Sequence, residues 1–375
     1  MHRRLLAPLA ALCLLCVSLA GAAAAADGLF RKDPYLGVPA DGTRMPVQWQ
    51  LRVSAPCTLT WGRGPLCCDA MAVTEESGPD HLHRHTMEGL VPATRYFYRV
   101  RCGGETRGGE FRTWPAADET TLAFIVYGDT RSQPDVHDAV AGAILDLLAE
   151  ADDHRTLLIS TGDLVSNGDR ESAWDEQFFS PHLPRLRRLL AGAPLVASRG
   201  NHEKSGLLFQ RYFPYPDGGR GWWSFDVGPA HFVVLDQYRD YSPGSPQYAW
   251  LERDLAATDR RWRILVLHQP GWSAGAHRNT EKVQRFLQPL CVRYGVSLVL
   301  AGHNHYYARC DVDGVQHITT GGGGAPLYTP RPDHPHVVAA AKAYHFCRVE
   351  IRGGELRFVA QDLDGRVLDA FTLHR

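Results

Sequence analysis

Thr121-Leu122-Ala123-Phe124-Ile125-Val126-Tyr127-Gly128-Asp129-Thr130-Arg131 is the stretch on which the fold turns. An uncharged run ends in glycine and ionisable side chains follow at once, the pattern of an apolar strand that delivers polar groups at its end. Similar runs recur from Thr156 to Thr161, Leu195 to Ser198, His231 to Leu235, Arg263 to Leu267 and Val296 to Ala301. Between them lie helical patterns, clearest from Val136 to Ala149, Tyr248 to Ala257 and Glu281 to Tyr294, and strands alternating with helices predict an α/β domain. From Ala343 to His374 short strands punctuated by Gly353-Gly354 and Asp364-Gly365 predict hairpins closing a sheet edge.

Upstream the rhythm differs. Alternating stretches at Met45 to Leu51, Cys57 to Trp61, Tyr96 to Cys102 and Gly109 to Thr113 are separated by turn residues, as in a small antiparallel sandwich. Gly89-Leu90-Val91-Pro92-Ala93-Thr94-Arg95-Tyr96-Phe97-Tyr98-Arg99-Val100 resembles the loop and strand near the end of fibronectin type III domains. The expected organisation is a leader at 1–26, an all-β fibronectin type III-like sandwich at 27–115, a linker at 116–120 and the α/β domain at 121–375.

His2, Arg3 and Arg4 precede an apolar run from Leu5 to Ala20 and the small residues Gly21 to Ala26, so the leader reads as an export signal cleaved near Ala26. Left uncleaved, Leu5 to Ala26 is long enough to span a bilayer, and it is the sole expected membrane attachment. The expected location is outside the cytoplasm, periplasmic or extracellular. Loss of Arg3 and Arg4 with the leader takes the formal net charge from -1 to -3, which gives no basic field for nucleic acid. Of nine cysteines, Cys13 and Cys16 lie in the leader, and disulfides are expected among Cys57, Cys67, Cys68 and Cys102. Cys67 and Cys68 are adjacent, without the spacer a structural zinc site requires.

Chemistry concentrates at five strand ends: Gly128-Asp129-Thr130-Arg131, Gly162-Asp163, Gly200-Asn201-His202-Glu203, His268-Gln269-Pro270 and Gly302-His303-Asn304-His305. In open α/β sheets the carboxyl ends of strands form one rim, so side chains distant in sequence converge there. Glycine before Asp129, Asp163, Asn201 and His303 is expected to let the backbone turn sharply there without a side chain in the way. Alone, a Gly-Asp pair is ordinarily a turn and His268 ordinarily a core histidine; the succession of all five points to metal chemistry.

That succession resembles the calcineurin-like metallophosphoesterase superfamily, and the flanks resemble purple acid phosphatases: Trp223-Ser224-Phe225-Asp226-Val227-Gly228-Pro229-Ala230-His231-Phe232, Gln247-Tyr248-Ala249-Trp250-Leu251-Glu252 and Thr319-Thr320-Gly321-Gly322-Gly323-Gly324. The resemblance implies a four-layer α-β-β-α domain. It also implies one ion held by Asp129, Asp163 and His305 and a second by Asp163, Asn201, His268 and His303, with Asp163 bridging. Carboxylate, amide and imidazole donors suit Fe, Mn or Zn, and a hydroxide shared by two such ions would attack the phosphorus of a small phosphate ester in line. The resemblance gives His202 the leaving group, with Glu203 available to orient it.

Two departures stand out. Where many relatives have Asp-x-His, this chain has Asp129-Thr130-Arg131, and three residues after Asp163, where purple acid phosphatases carry tyrosine, it has Ser166. The first ion is therefore one donor short, with water, Ser166 or His137 as candidates, and Arg131 is expected either to grip a substrate phosphate through its planar fork or to form a structural salt bridge. Other readings are a binding module of the same fold without turnover, motivated by the missing donor, and a phosphodiesterase or nucleotidase. Tyr306, Tyr307, Trp222, Trp223 and Trp272 are expected to pack rather than bind substrate, and Asp311, Asp313 and Gly314 to form a hairpin turn.

Overall fold

The computed structural model describes residues 28–78 and 80–375. The leader expected over 1–26, Cys13 and Cys16 included, lies outside the described residues. No helix of the described residues is long and apolar enough to cross a membrane.

Seven strands open the chain: β1 (Phe30–Leu36), β2 (Met45–Leu51), β3 (Cys57–Gly62), β4 (Ala70–Thr74), β5 (Leu82–Met87), β6 (Arg95–Cys102) and β7 (Glu105–Arg112). They form two antiparallel sheets, β1-β2-β5 and β4-β3-β6-β7, closed over Trp49, Leu59, Tyr98, Val100 and Phe111. In β6, Tyr96, Tyr98, Val100 and Cys102 turn inward while Arg95, Arg99 and Arg101 face water, the period-two pattern of a half-buried sheet. Cys57 and Cys102 stand opposite each other in the β3–β6 register and are joined by a disulfide. Cys67, Cys68, Cys291, Cys310 and Cys347 are free thiols.

The second domain comprises β8 (Thr121–Tyr127), α1 (Pro134–Glu150), β9 (Leu158–Ser160), α2 (Glu171–Gln177), α3 (Pro184–Gly192), β10 (Leu195–Ala197), α4 (Leu207–Tyr212), β11 (Trp223–Val227), β12 (Ala230–Val234), α5 (Pro246–Ala257) and β13 (Trp262–Val266). It continues with α6 (Gln288–Arg293), β14 (Val296–Ala301), β15 (Tyr307–Val312), β16 (Val315–Thr320), β17 (Val337–Ala341), β18 (His345–Arg352), β19 (Glu355–Asp362) and β20 (Val367–His374). One sheet runs β10-β9-β8-β18-β19-β20 and the other β11-β12-β13-β14-β16-β15-β17. Their inner faces meet through Phe124, Val126, Ile159, Phe232, Ile264, Leu298 and Phe358. The outer faces are covered by α1 and α3 on one side and by α5 and α6 on the other, giving the four-layer α-β-β-α sandwich. Alternate residues of β8 supply both cores: Phe124 and Val126 point between the sheets, Ile125 and Tyr127 toward the helices.

Two expectations need correction. The C-terminal strands do more than close an edge: β18 pairs along β8, so they make up half of the first sheet and turn β8 into an interior strand. The helix expected from Glu281 to Tyr294 is present over 281–293 but widens into a π-turn at Val283–Leu287 ahead of α6, because Pro289 lacks the N–H that would continue the α ladder.

The two domains are tied by a buried cation. Lys32 on β1 is fully buried, and its ammonium donates to Gln50 Oε1 (2.7 Å), Glu171 Oε1 (2.7 Å) and Asp175 Oδ1 (2.8 Å), the last two on α2. The Tyr98 hydroxyl also donates to the Ala191 carbonyl on α3 at 3.0 Å. Three satisfied partners offset the cost of burying the ammonium.

Candidate metal centre

Strands β8, β9 and β10 run parallel, as do β12, β13, β14 and β16, so their carboxyl ends share a rim. The rim lies astride both sheets. Oxygen donors Asp129, Asp163 and Asn201 follow β8, β9 and β10, while imidazoles His268, His303 and His305 follow β13 and β14. The six side chains meet. One ligand atom each from Asp129, Asp163 and His268 lies within 4.8 Å of the others. Asn201 Oδ1 is 3.1 Å from both His268 Nε2 and His303 Nδ1, Asp163 Oδ1 is 3.4 Å from His268 Nε2, and Asp129 Oδ1 is 3.6 Å from His305 Nε2.

Three donors take a backbone conformation that side chains ordinarily avoid: φ is +55° at Asp129, +56° at Asp163 and +68° at His303. Each such residue costs about 1–3 kcal/mol and persists only where its surroundings over-determine it. Of the preceding glycines only Gly162, with φ +94°, takes the left-handed turn itself, and Gly200 and Gly302 give clearance. A Cβ on Gly302 would lie 2.2 Å from Asp129 Oδ2, and one on Gly200 would lie 2.2 Å from Asp163 Oδ1.

Glu203 fixes the loops. Its carboxylate accepts from the backbone N–H of Gly200 (2.6 Å), Asp163 (3.0 Å) and Leu164 (2.8 Å), and burial together with Asp163 pushes its pKa to about 7. It does not orient the His202 ring as expected; that ring donates from Nδ1 to the Ser166 carbonyl at 2.7 Å. His202 Nε2 is left 3.9 Å from Asp163 Oδ2. Burial lowers its pKa below the ordinary histidine value, against the pull of Asp163.

Protonation at the site follows from the same accounting. His268 Nδ1 donates to the Thr161 carbonyl and His305 Nδ1 to the Pro326 carbonyl, each at 2.8 Å. A carbonyl can only accept, so each ring carries a hydrogen on Nδ1 and turns its Nε2 inward. Burial pushes the pKa of His303 to about 3 and of His305 to about 4, so both are neutral. Burial and the neighbouring Asp163 push the Asp129 carboxyl well above the usual range, while Asp163, despite its burial, is kept below it by His268 and His202. Neutral His303 and His305 thus share a buried rim with carboxylate and amide oxygens, and this oxygen and imidazole mixture fits a transition metal.

The candidates for the missing donor fall differently. His137 is buried in α1 between the rings of Tyr127 and Phe178, and neither ring nitrogen has a hydrogen-bond partner among the described residues, so it hydrogen-bonds to none of the six. Burial pushes its pKa to about 3. The Ser166 hydroxyl accepts from Gln177 Nε2 at 2.8 Å. Arg131 is what reaches the site, its Nε donating to Asp163 Oδ2 (3.3 Å) and its Nη2 to His305 Nε2 (3.4 Å).

Some neighbours were not read from sequence. The His277 ring lies 4.3 Å from that of His303, and Tyr328 stacks on His305 at 4.2 Å. Gln237 Oε1 accepts from the backbone N–H of His268 (2.9 Å) and Gln269 (2.6 Å). All three lie in loops without periodicity; a histidine nine residues beyond His268 was the one available hint. Tyr306, Tyr307 and Trp223 are buried packing residues, and Gly314, with φ +80°, closes the turn between β15 and β16. The glycines at 321–324 run against the first ligand loop, Gly323 N–H donating to the Gly128 carbonyl at 2.9 Å.

Residues 122–307 match the family described as calcineurin-like phosphoesterase. Purple acid phosphatase 18 of Arabidopsis thaliana is 30% identical over 273 residues, covering 64% of this chain and 57% of that protein, so the chain spans less than two thirds of this relative. Acid phosphatase type 7 of Homo sapiens is 27% identical over 352 residues, covering 77% of this chain and 76% of its own. Among solved structures, the purple acid phosphatase PPD1 from yellow lupin seeds superposes with a TM-score of 0.75 at 19% identity, covering 92% of this chain and 75% of its own.

Proposed function

We propose, from the premise that the larger domain of this chain belongs to the calcineurin-like phosphoesterase family, that the protein is an exported hydrolase of small phosphate esters working with two transition-metal ions. Phosphate monoesters, the substrates of an acid phosphatase, are its first class. The observation that carries this reading is the inward-facing Nε2 of His268, oriented by the bond from its Nδ1 to the Thr161 carbonyl and set beside Asn201 Oδ1 and Asp163 Oδ1. Asp129, Asp163 and His305 would hold one ion and Asp163, Asn201, His268 and His303 the other, with Asp163 shared between them. Such a pair, when bound, makes water a nucleophile near neutral pH and offsets the charge of the phosphoryl oxygens.

The chain's own groups do the rest. His202 keeps its Nδ1 hydrogen on the Ser166 carbonyl, so the proton handed to the leaving oxygen is carried on Nε2, by the imidazolium. Arg131, partly exposed on the rim, offers its fork to the phosphate. The sandwich at 27–115, of fibronectin type III-like form, backs the catalytic domain at 121–375 across the Lys32 contact and the linker at 116–120. Export rests on the leader at 1–26.

Metal analysis and turnover test this. At saturating manganese, iron or zinc the chain should hold two ions and hydrolyse a chromogenic phosphate monoester. Asp163→Asn should lower turnover by roughly 100-fold or more, since even removal of an outer partner of a metal ligand costs about 10–100-fold. A chain that binds no transition metal and hydrolyses neither monoester nor diester is instead a binding module of this fold.

A further inference from the structure

The two donor sets are not equivalent. Asn201 Oδ1 lies 3.1 Å from both His268 Nε2 and His303 Nδ1, and His268 Nε2 lies 3.4 Å from Asp163 Oδ1, with the guanidinium of Arg131 bonded elsewhere. On the other side, Arg131 bridges two of the three remaining donors, Asp163 Oδ2 and His305 Nε2, while its Nη1 is tied to Ser132 Oγ at 3.1 Å. Arginine keeps its charge at every relevant pH, so an ion arriving there must break two hydrogen bonds and sit beside a fixed positive charge where Asp163 is 1% exposed. That set also offers one protein donor fewer.

We propose that Arg131 is the resident counter-cation of the three-donor position: it holds Asp163 and His305 together while one ion is bound, and a second ion releases it toward the substrate phosphate. The inference rests on the dinuclear reading and adds an order and a coupling to it. The four-donor position fills first and tightly, the three-donor position second and weakly, and the doubly loaded chain alone presents a free guanidinium. The Arg131 side chain is 16% exposed, so it lies at the edge of the rim with solvent beside it. The chain thereby balances its buried carboxylates with one ion fewer than the donor count suggests.

Calorimetric titration of the metal-free full chain with manganese, with equilibrium dialysis for stoichiometry, tests the order. The unaltered protein should bind in two steps whose Kd values differ by about tenfold or more. Arg131→Ala should tighten the second step by about tenfold and leave the first unmoved, because the competing charge is gone. Arg131→His should do the same by supplying an imidazole. Inorganic phosphate, as a probe, should bind the unaltered chain more tightly after the second step, and Arg131→Ala should lose that gain. Two equal steps in the unaltered protein, a second Kd unmoved in Arg131→His, or phosphate affinity indifferent to the second ion would each overturn the inference; the first and third need no variant. Equal steps leave the dinuclear reading standing, whereas no bound ion in any of the proteins removes both.

Discussion

Stability should fall between pH 6 and pH 10 because of one histidine far from the rim, and His231→Gln should remove that dependence. His231 on β12 is 7% exposed, and its ring stands between Asp226 (2.7 Å) and Asp254 (2.9 Å), tying β11 and α5 together. Burial disfavours the imidazolium, but the two carboxylates outweigh it and raise the pKa from 6.5 to about 9. A folded-state pKa above the unfolded one means the native chain binds the proton more tightly. The contribution is therefore complete below pH 6.5 and is lost as pH rises through about 9. That interval corresponds to roughly 3 kcal/mol, and because Asp226 is 42% exposed and screened by water, about 2 kcal/mol is the expected loss. Urea unfolding of both proteins at matched pH values isolates the effect, since groups common to both cancel. The advantage of the unaltered chain over His231→Gln should be largest at pH 6 and shrink by about 2 kcal/mol by pH 10. A difference that stays flat, or grows with pH, would refute the charged sandwich.

His202→Ala should slow hydrolysis of an alkyl phosphate by roughly 100-fold, yet scarcely slow a dinitrophenyl phosphate, whose leaving group needs no proton; equal losses would contradict the assignment of Nε2 to the leaving oxygen. Gly302→Ala, whose Cβ would lie 2.2 Å from Asp129 Oδ2, should weaken manganese binding by about 10–100-fold while far-UV circular dichroism stays unchanged; unaltered metal affinity would show that the loop yields freely. Because Ser166 stands where a tyrosinate would, the iron-loaded protein should show no tyrosinate-to-iron absorption band in the visible, and a strong band would mean that another tyrosine reaches the metal.

The convergence of the six proposed donors was legible because each lies within four residues of a strand end, a position that local sequence can report. Which nitrogen of His268 or His305 faces inward was not, since that choice is made by the carbonyls of Thr161 and Pro326, distant in sequence. Glu203 next to Asn201 looked like a partner for His202, but its carboxylate lies beneath the loops, where three backbone N–H groups claim it. His137, just past the first loop, reads as a candidate donor, whereas α1 turns it into the aromatic layer beneath β8. Helix α4 and strands β11, β15 and β17 were missed because they are short and take their stability from neighbours rather than from a pattern of their own.

The pairing of β8 with β18 has a consequence for the order in which the molecule can be made. The strand that carries Asp129 finds one neighbour, β9, soon after it is synthesised, but the other is built from residues 347–352, more than two hundred positions later. During translation its hydrogen-bonding edge waits open while all six ligands have already emerged, so a ribosome that stalled after His305 would release a chain with its ligands present and a sticky flank.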